Sequence, residues 1–267
     1  MSAIVRGDRL RSGHDFHFLV EEWDRLCEDR GWKKTVIAEV DELPVFAVEN
    51  GIASEGGKDG IYVSAGVHGD ECAPPWALLE WAESLTEADE GRPMLLFPCL
   101  NPVGIVDNTR MDQDGVDLNR NFQNPDIPVI GAWQEFLEGR SFQMAVNLHE
   151  DYDATGIYLY ELARSEPIGD KLLSACEDLI RRETSDLVDG SDFQNGLMQR
   201  EVDDESLREV VERDLEGGWP EAIWLYLHYS KDSFTFETPS EMALDKRVAT
   251  HRRFLEVVSK RCTHCPE

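Results

Sequence analysis

Two histidines and a glutamate stand out in this 267-residue chain because of where they fall. His68 and Glu71 belong to His68-Gly69-Asp70-Glu71, which follows the apolar run Ile61 to Val67; His149 follows a second such run, Phe142 to Leu148. A spacing of three at the start of a helix lets an imidazole nitrogen and a carboxylate oxygen reach one ion. Two His and one Glu form a catalytic zinc set that leaves a coordination position open for water. Standing alone, His-x-x-Glu would more often describe a capped helix with a surface histidine.

It is accompanied by other polar groups, in order. Asn101-Pro102-Val103-Gly104 follows the run Met94 to Leu100. Then come Arg110 and Gly115-Val116-Asp117-Leu118-Asn119-Arg120-Asn121-Phe122, and later Phe234-Thr235-Phe236-Glu237. Zinc lowers the pKa of its bound water to about 7, and a suitably tuned Glu can take the proton. An arginine fork holds a carboxylate by two parallel charge-assisted hydrogen bonds, which a lysine does not.

This ordered set resembles the carboxypeptidase A-like family of zinc carboxypeptidases, most of all its short bacterial members such as the murein peptide amidases. The aspartoacylase and succinylglutamate desuccinylase branch shares the elements around His68 and Asp117. The resemblance runs from about Ile61 to Glu237. It implies a three-layer αβα fold of the α/β class with a mixed, mostly parallel central sheet. It implies one zinc ion per chain on His68, Glu71 and His149, with Glu237 as general base. Arg110 would steady the oxyanion, and Asn119 and Arg120 would grip the substrate's terminal carboxylate. The family also lays a tyrosine over the substrate from a loop shortly before the base. Tyr226 and Tyr229 lie in that region, though Trp224 to Tyr229 also reads as an apolar strand or helix face.

The implied activity is hydrolysis of a peptide or amide bond beside a residue with a free carboxylate, on a peptide or N-acyl amino acid substrate. Asn121 and Gly104 match the peptidase branch, which tends to differ from the aspartoacylase-like branch at Asn121. A deacylase of N-acyl amino acids is the alternative. A catalytically silent metal-binding relative would lack a ligand or base, and His68, Glu71, His149 and Glu237 are all present.

Other polar clusters stay open. Glu150, Asp151 and Asp153 next to His149 read as support for the ligand, as a site for a cationic substrate or second ion, or as a solvated acidic loop. Cys262 and Cys265 have the spacing of half a zinc site but no second pair. His14, His17, His228 and His251 have no partner spacing and read as surface or satisfied core residues. There is no Ser elbow and no phosphate-cradling loop.

The elements that must position these groups follow from the hydrophobic pattern. Strands are expected at 35–40, 44–49, 61–67, 94–100, 142–148, 157–161 and 233–238, most of them continuous apolar runs of the kind covered on both faces. Helices are expected at 15–28, 73–83, 129–137, 168–182 and 242–260, and strands alternating with helices make a layered α/β fold. Residues 186–218 form an acidic insert that either holds a helix at 204–213 or makes part of a wall over a site, inside a single catalytic domain over 1–267.

Composition excludes some functions. Lys plus Arg number 26 against 54 Asp plus Glu, a formal charge of −28, which repels a phosphate backbone or an anionic membrane surface. A hydrophobic content of 41% supports a sizeable core. No apolar run reaches membrane-span or signal-peptide length, so the expected location is the cytoplasm, without membrane or nucleic-acid partners. The scattered cysteines fit reduced, mostly buried thiols.

Overall fold

The computed structural model describes residues 3–6, 9–54, 59–86, 89, 91–185, 187–188, 191–200 and 203–261. The chain opens with a hairpin, β1 (Ala3–Arg6) and β2 (Arg9–Ser12), and helix α1 (Phe16–Arg30). Asp15 caps α1, accepting from the Phe18 amide at 3.0 Å, and Gly31 ends it at φ 65. Next come β3 (Lys33–Val40), β4 (Leu43–Glu49), the short α2 (Gly51–Ser54), β5 (Gly60–Ser64), α3 (Ala73–Ser84), β6 (Met94–Phe97) and α4 (Pro102–Asp107). A 3-10 turn at Leu118–Arg120 precedes α5 (Pro128–Leu137), β7 (Phe142–Asp151), β8 (Tyr158–Ala163) and α6 (Gly169–Ser174). The remainder is β9 (Leu187–Val188), β10 (Ser191–Asp192), β11 (Leu197–Arg200), α7 (Asp204–Asp214), α8 (Glu221–His228), β12 (Ser230–Pro239) and α9 (Leu244–Arg261).

Eight strands form one mixed sheet in the order β11-β8-β12-β7-β5-β6-β4-β3. Its centre, β12, β7, β5 and β6, is parallel, while β8, β4 and β3 join antiparallel to their inner neighbours. Helices cover both faces. Trp76 and Leu79 of α3, Leu172 of α6 and Phe254 and Val258 of α9 bury Val63, Val146, Leu148 and Phe236 on one side. Ile130 and Trp133 of α5 and Leu225 of α8 bury Tyr62, Phe97 and Ala145 on the other. Each such side chain contributes about 1.5–3 kcal/mol by leaving water. This is the expected three-layer α/β fold. Among the described residues, no helix is long and apolar enough to cross a membrane.

Some elements differ from expectation. The helix expected at 168–182 ends at Ser174. Arg182 instead bridges Ile157 through its backbone and folds its guanidinium onto Asp170 and Ser174, at 2.7 and 2.6 Å, so tertiary pairing overrides local periodicity. The acidic insert holds the expected helix as α7, and it also supplies β11, an edge strand parallel to β8. Cys27, Cys72, Cys99 and Cys176 are free and buried, while Cys262 and Cys265 lie outside the described residues.

Candidate functional site

β5, β7 and β12 run parallel, so their carboxyl ends lie along one edge of the sheet, where loops can converge without breaking it. After β5 the chain turns through Gly66, at φ 60, to reach His68. Gly69 then packs directly on Gly104 of α4, where an added Cβ would fall 1.8 Å from the Gly104 carbonyl carbon. Asn101 caps α4 by accepting from the Gly104 amide at 2.9 Å, and leaves no room for a side chain at 104. The glycines of the two motifs are thus a single close approach of backbones that fixes the loop carrying His68 and Glu71.

His68, Glu71 and His149 are buried, and one ligand atom from each lies within 4.8 Å of the others. Glu71 occupies the middle. Its Oε1 meets His68 Nδ1, and its Oε2 lies 3.0 Å from His149 Nδ1 and accepts from the Glu150 amide at 3.0 Å. Burial opposes ionisation of Glu71, but the two imidazoles hold its carboxyl well below the usual carboxylate range. Two imidazole nitrogens and a carboxylate oxygen at this separation suit a divalent ion of the zinc type.

Asp117, which sequence reasoning passed over, completes the histidine's surroundings. Its carboxylate lies 3.2 Å from His68 Nε2 and accepts from Arg110 Nε at 3.0 Å and from the Asn119 amide at 2.9 Å. With Nε2 engaged there, Nδ1 is the nitrogen presented toward Glu71. Burial works against the Asp117 charge, and the His68 hydrogen bond and the neighbouring cations outweigh it, lowering the pKa. The spacing of Asp117 within its motif was visible, but nothing in the sequence said that it would reach a side chain 49 positions earlier.

Glu237 sits opposite His149 where β12 pairs with β7, and opposite Tyr158 where it pairs with β8. It lines one cavity of about 1110 Å³ together with the three candidate ligands, Arg110, Asn119 and Arg120. Arg110 reaches into this space with its Nη1 3.2 Å from His68 Nδ1 and 3.9 Å from Glu71. Asn119 accepts from the Glu221 amide at 2.9 Å, which ties the start of α8 to the floor, and Arg120 donates to the Asn119 carbonyl at 3.0 Å.

Tyr226 and Tyr229 are corrections: neither is brought to the cavity. Tyr226 is buried in a cluster with Leu162 and Leu207, with the Arg164 guanidinium 4.0 Å above its ring. Tyr229 packs edge-on against Trp133, and its carbonyl accepts from the Phe142 amide, at the start of β7 and away from the ligand end. Both belong to α8 and its end, and the apolar reading of that stretch prevails.

All three residues of the acidic trio after His149 touch the cavity. Glu150 turns to the opposite face of the sheet, where it accepts from Arg247, Thr238 and the Ala73 amide. Burial pushes its carboxyl up to about 7 despite Arg247. Asp151 accepts from the Tyr158 hydroxyl at 2.8 Å and from the Asp153 amide at 2.8 Å. Of the remaining histidines, His251 is fully buried on Thr238 and burial pushes it down to about 3. His17 and His228 are exposed, and His14 lines the cavity with its Nδ1 3.1 Å from the Ile105 carbonyl.

Residues 58–127, which contain His68, Glu71, Arg110 and Arg120, match the succinylglutamate desuccinylase/aspartoacylase catalytic domain family. Cytosolic carboxypeptidase 1 of Danio rerio is 31% identical over 151 residues, which are 51% of this chain and 13% of that protein. The chain therefore matches only a small part of the length of these curated relatives, 10% for the Gallus gallus counterpart. Among solved structures, a protein of Shewanella denitrificans assigned to the metallopeptidases superposes with a TM-score of 0.81 at 18% identity, covering 98% of this chain and 96% of that one. A metallo-carboxypeptidase from Pseudomonas aeruginosa in complex with (2-guanidinoethylmercapto)succinic acid superposes with a TM-score of 0.62 at 15% identity, covering 91% of this chain and 68% of that one.

Proposed function

We propose that this chain, a relative of the carboxypeptidase A-like and desuccinylase/aspartoacylase hydrolases, is a metallohydrolase that cleaves a peptide or amide bond beside a residue bearing a free carboxylate. The observation that carries this reading is the buried His68, Glu71 and His149 group with Glu237 paired to His149 on the next strand. A zinc ion on those three residues would supply a water of lowered pKa and polarise the scissile carbonyl.

The chain's own residues do the rest. Glu237 takes a proton at its carboxylate and returns it to the leaving amine. Arg110 donates to the carbonyl oxygen as negative charge develops on it, held in place by Asp117. Arg120 and Asn119 hold the substrate's free carboxylate, Arg120 through its planar fork. Asp117 holds His68 through Nε2, which would leave Nδ1 free to bind the ion. A cytoplasmic location and a single catalytic unit are parts of the same proposal.

The N-acyl amino acid deacylase is kept as a second reading because the family match over residues 58–127 is to that branch. Substrates of both readings carry a carboxylate beside the scissile amide. One panel therefore tests them: short peptides, murein peptides and N-acyl amino acids, with metal analysis of the purified protein. The expected result is about one divalent ion per chain, lost in His68→Ala. Glu237→Gln should keep the ion and lose hydrolysis, and Arg110→Ala should lower turnover on the order of 10²–10³ with little change in substrate binding. Full activity in Glu237→Gln would overturn the assignment of the base, and preference for N-acyl amino acids over every peptide would favour the second reading.

A further inference from the structure

A second set of buried polar groups lies on the face of the sheet that α5 and α8 cover. Tyr62 and Ser64 of β5 and Asn147 of β7 share that face, with Ser64 opposite Asn147 in register. They converge on Glu221, the first residue of α8, which is 1% exposed and which no step of the proposed reaction uses. Glu221 Oε1 accepts from the Tyr62 hydroxyl, and Oε2 accepts from the Ser64 hydroxyl at 2.9 Å. Tyr62 in turn accepts from Trp133 Nε1 at 2.8 Å, and Ser64 accepts from Asn147 Nδ2 at 2.9 Å.

These bonds have a direction. The N–H groups of Trp133 and Asn147 only donate, so each hydroxyl oxygen accepts from one of them and turns its own hydrogen to Glu221. Both oxygens of Glu221 therefore accept, which suits a carboxylate and not a carboxamide. Burial pushes the Glu221 pKa up, and the two hydroxyl donors work against that. The anchorage sets the start of α8. The first amides of a helix have no intrahelical acceptor, and Pro220 at the N-cap has no side-chain oxygen to offer one. Asn119 Oδ1 fills the gap, accepting from the Glu221 amide at 2.9 Å across 102 positions of sequence. An N–H partner identifies that end of the Asn119 side chain as its oxygen, which leaves the Nδ2 donors for the cavity that Asn119 lines. The helix N-terminus draws on Oδ1 and so polarises the carboxamide, making Nδ2 a stronger donor to an anion.

We infer that Glu221 is a positioning residue for the substrate's carboxylate: held to β5 through Tyr62 and Ser64, it fixes the start of α8 so that its main-chain amide orients Asn119. The inference rests on the proposed role of Asn119 in gripping that carboxylate. Glu221→Gln is the informative change. A carboxamide has one accepting oxygen and an NH2 group that cannot accept, so one hydroxyl loses its partner, the first turn of α8 shifts and Asn119 loses its alignment.

The test is a double-mutant cycle on the metal-loaded protein, with Glu221→Gln, Asn119→Ala and the two together, hydrolysing N-acylated dipeptides that end in a free carboxylate. Glu221→Gln is expected to raise KM by roughly 10-fold with kcat nearly unchanged, since a grip on the carboxylate holds ground state and transition state alike. In the Asn119→Ala background the same change should raise KM no further. A residue that only supported the fold would lower Tm and the active fraction, leave KM as it is, and act equally in both backgrounds. An additive cycle, or an unchanged KM in Glu221→Gln, overturns the inference. Should Glu221→Gln not fold, Ser64→Ala, which removes one donor and keeps the carboxylate, takes its place in the cycle with the same outcomes. If no substrate is cleaved, the hydrolase reading falls, and calorimetric binding of N-acetyl-leucine and N-acetyl-leucinamide still decides the role of Glu221. A preference for the acid over the amide that the variant loses supports the inference. Equal affinity of the wild type for the two, or a preference kept in the variant, overturns it.

Discussion

A Glu150 carboxylate oxygen and Arg247 Nη1 meet at 2.5 Å inside the protein, one residue along β7 from His149. The same carboxylate accepts from the Ala73 amide at 2.9 Å, two residues past Glu71, and from Thr238 Oγ1 at 3.2 Å, one past Glu237. One buried carboxyl group therefore joins the three segments that carry the candidate ligands and base, and Arg247 of α9 lies against it.

Arg247→Ala should leave that carboxylate buried without its cation, a change of about 3–5 kcal/mol. Thermal denaturation should show a fall in Tm on the order of 10 °C. Glu150→Gln, which keeps an acceptor for the Ala73 amide, should lose less. An unchanged Tm in Arg247→Ala would remove the ion pair from any part in holding these segments together.

Asp117→Asn should weaken binding of the divalent ion by about 10- to 100-fold, since it alters the group that orients His68. Competition against a chelator of known affinity measures this without any substrate. Wild-type affinity in the variant would mean that His68 is held by other contacts.

Glu183 accepts from the Thr155, Gly156, Thr184 and Ser185 amides at 2.7, 3.0, 2.8 and 2.9 Å. Burial opposes its charge, but those donors lower its pKa below the ordinary value of 4.5. A carboxyl lowered in the folded state adds stability that is present above 4.5 and lost as pH falls through the folded value. The Tm advantage of the wild type over Glu183→Gln should therefore be constant near neutrality and shrink below that point. A difference independent of pH would contradict the ionised role.

Tyr226→Phe and Tyr229→Phe should leave hydrolysis unchanged, because neither ring lines the cavity. Tyr226→Ala should instead cost stability, about 3–5 kcal/mol for a large buried aromatic. A selective fall in kcat for Tyr226→Phe with unaltered stability would show that α8 moves toward the site during turnover.

Read alone, the chain determined the α/β class and most of the elements. Apolar runs such as Ile61 to Ser64 and Phe142 to Leu148 read as strands covered on both faces, and Asp15 and Gly31 bracket α1 through local backbone chemistry. It also determined which residue types could hold one ion, because the spacing of His68 and Glu71 is a property of a single turn. Tertiary structure alone decided what faces what. A one-residue step along β7 sets His149 beside Glu71 and Glu150 against Arg247, since successive side chains on a strand leave by opposite faces. Asp117 reaches His68, Arg182 draws the chain out of helix at Ile157, and Tyr226 turns into its own apolar cluster, each through a partner distant in sequence. Periodicity records which side of an element is apolar. It carries no record of which distant group that side will meet.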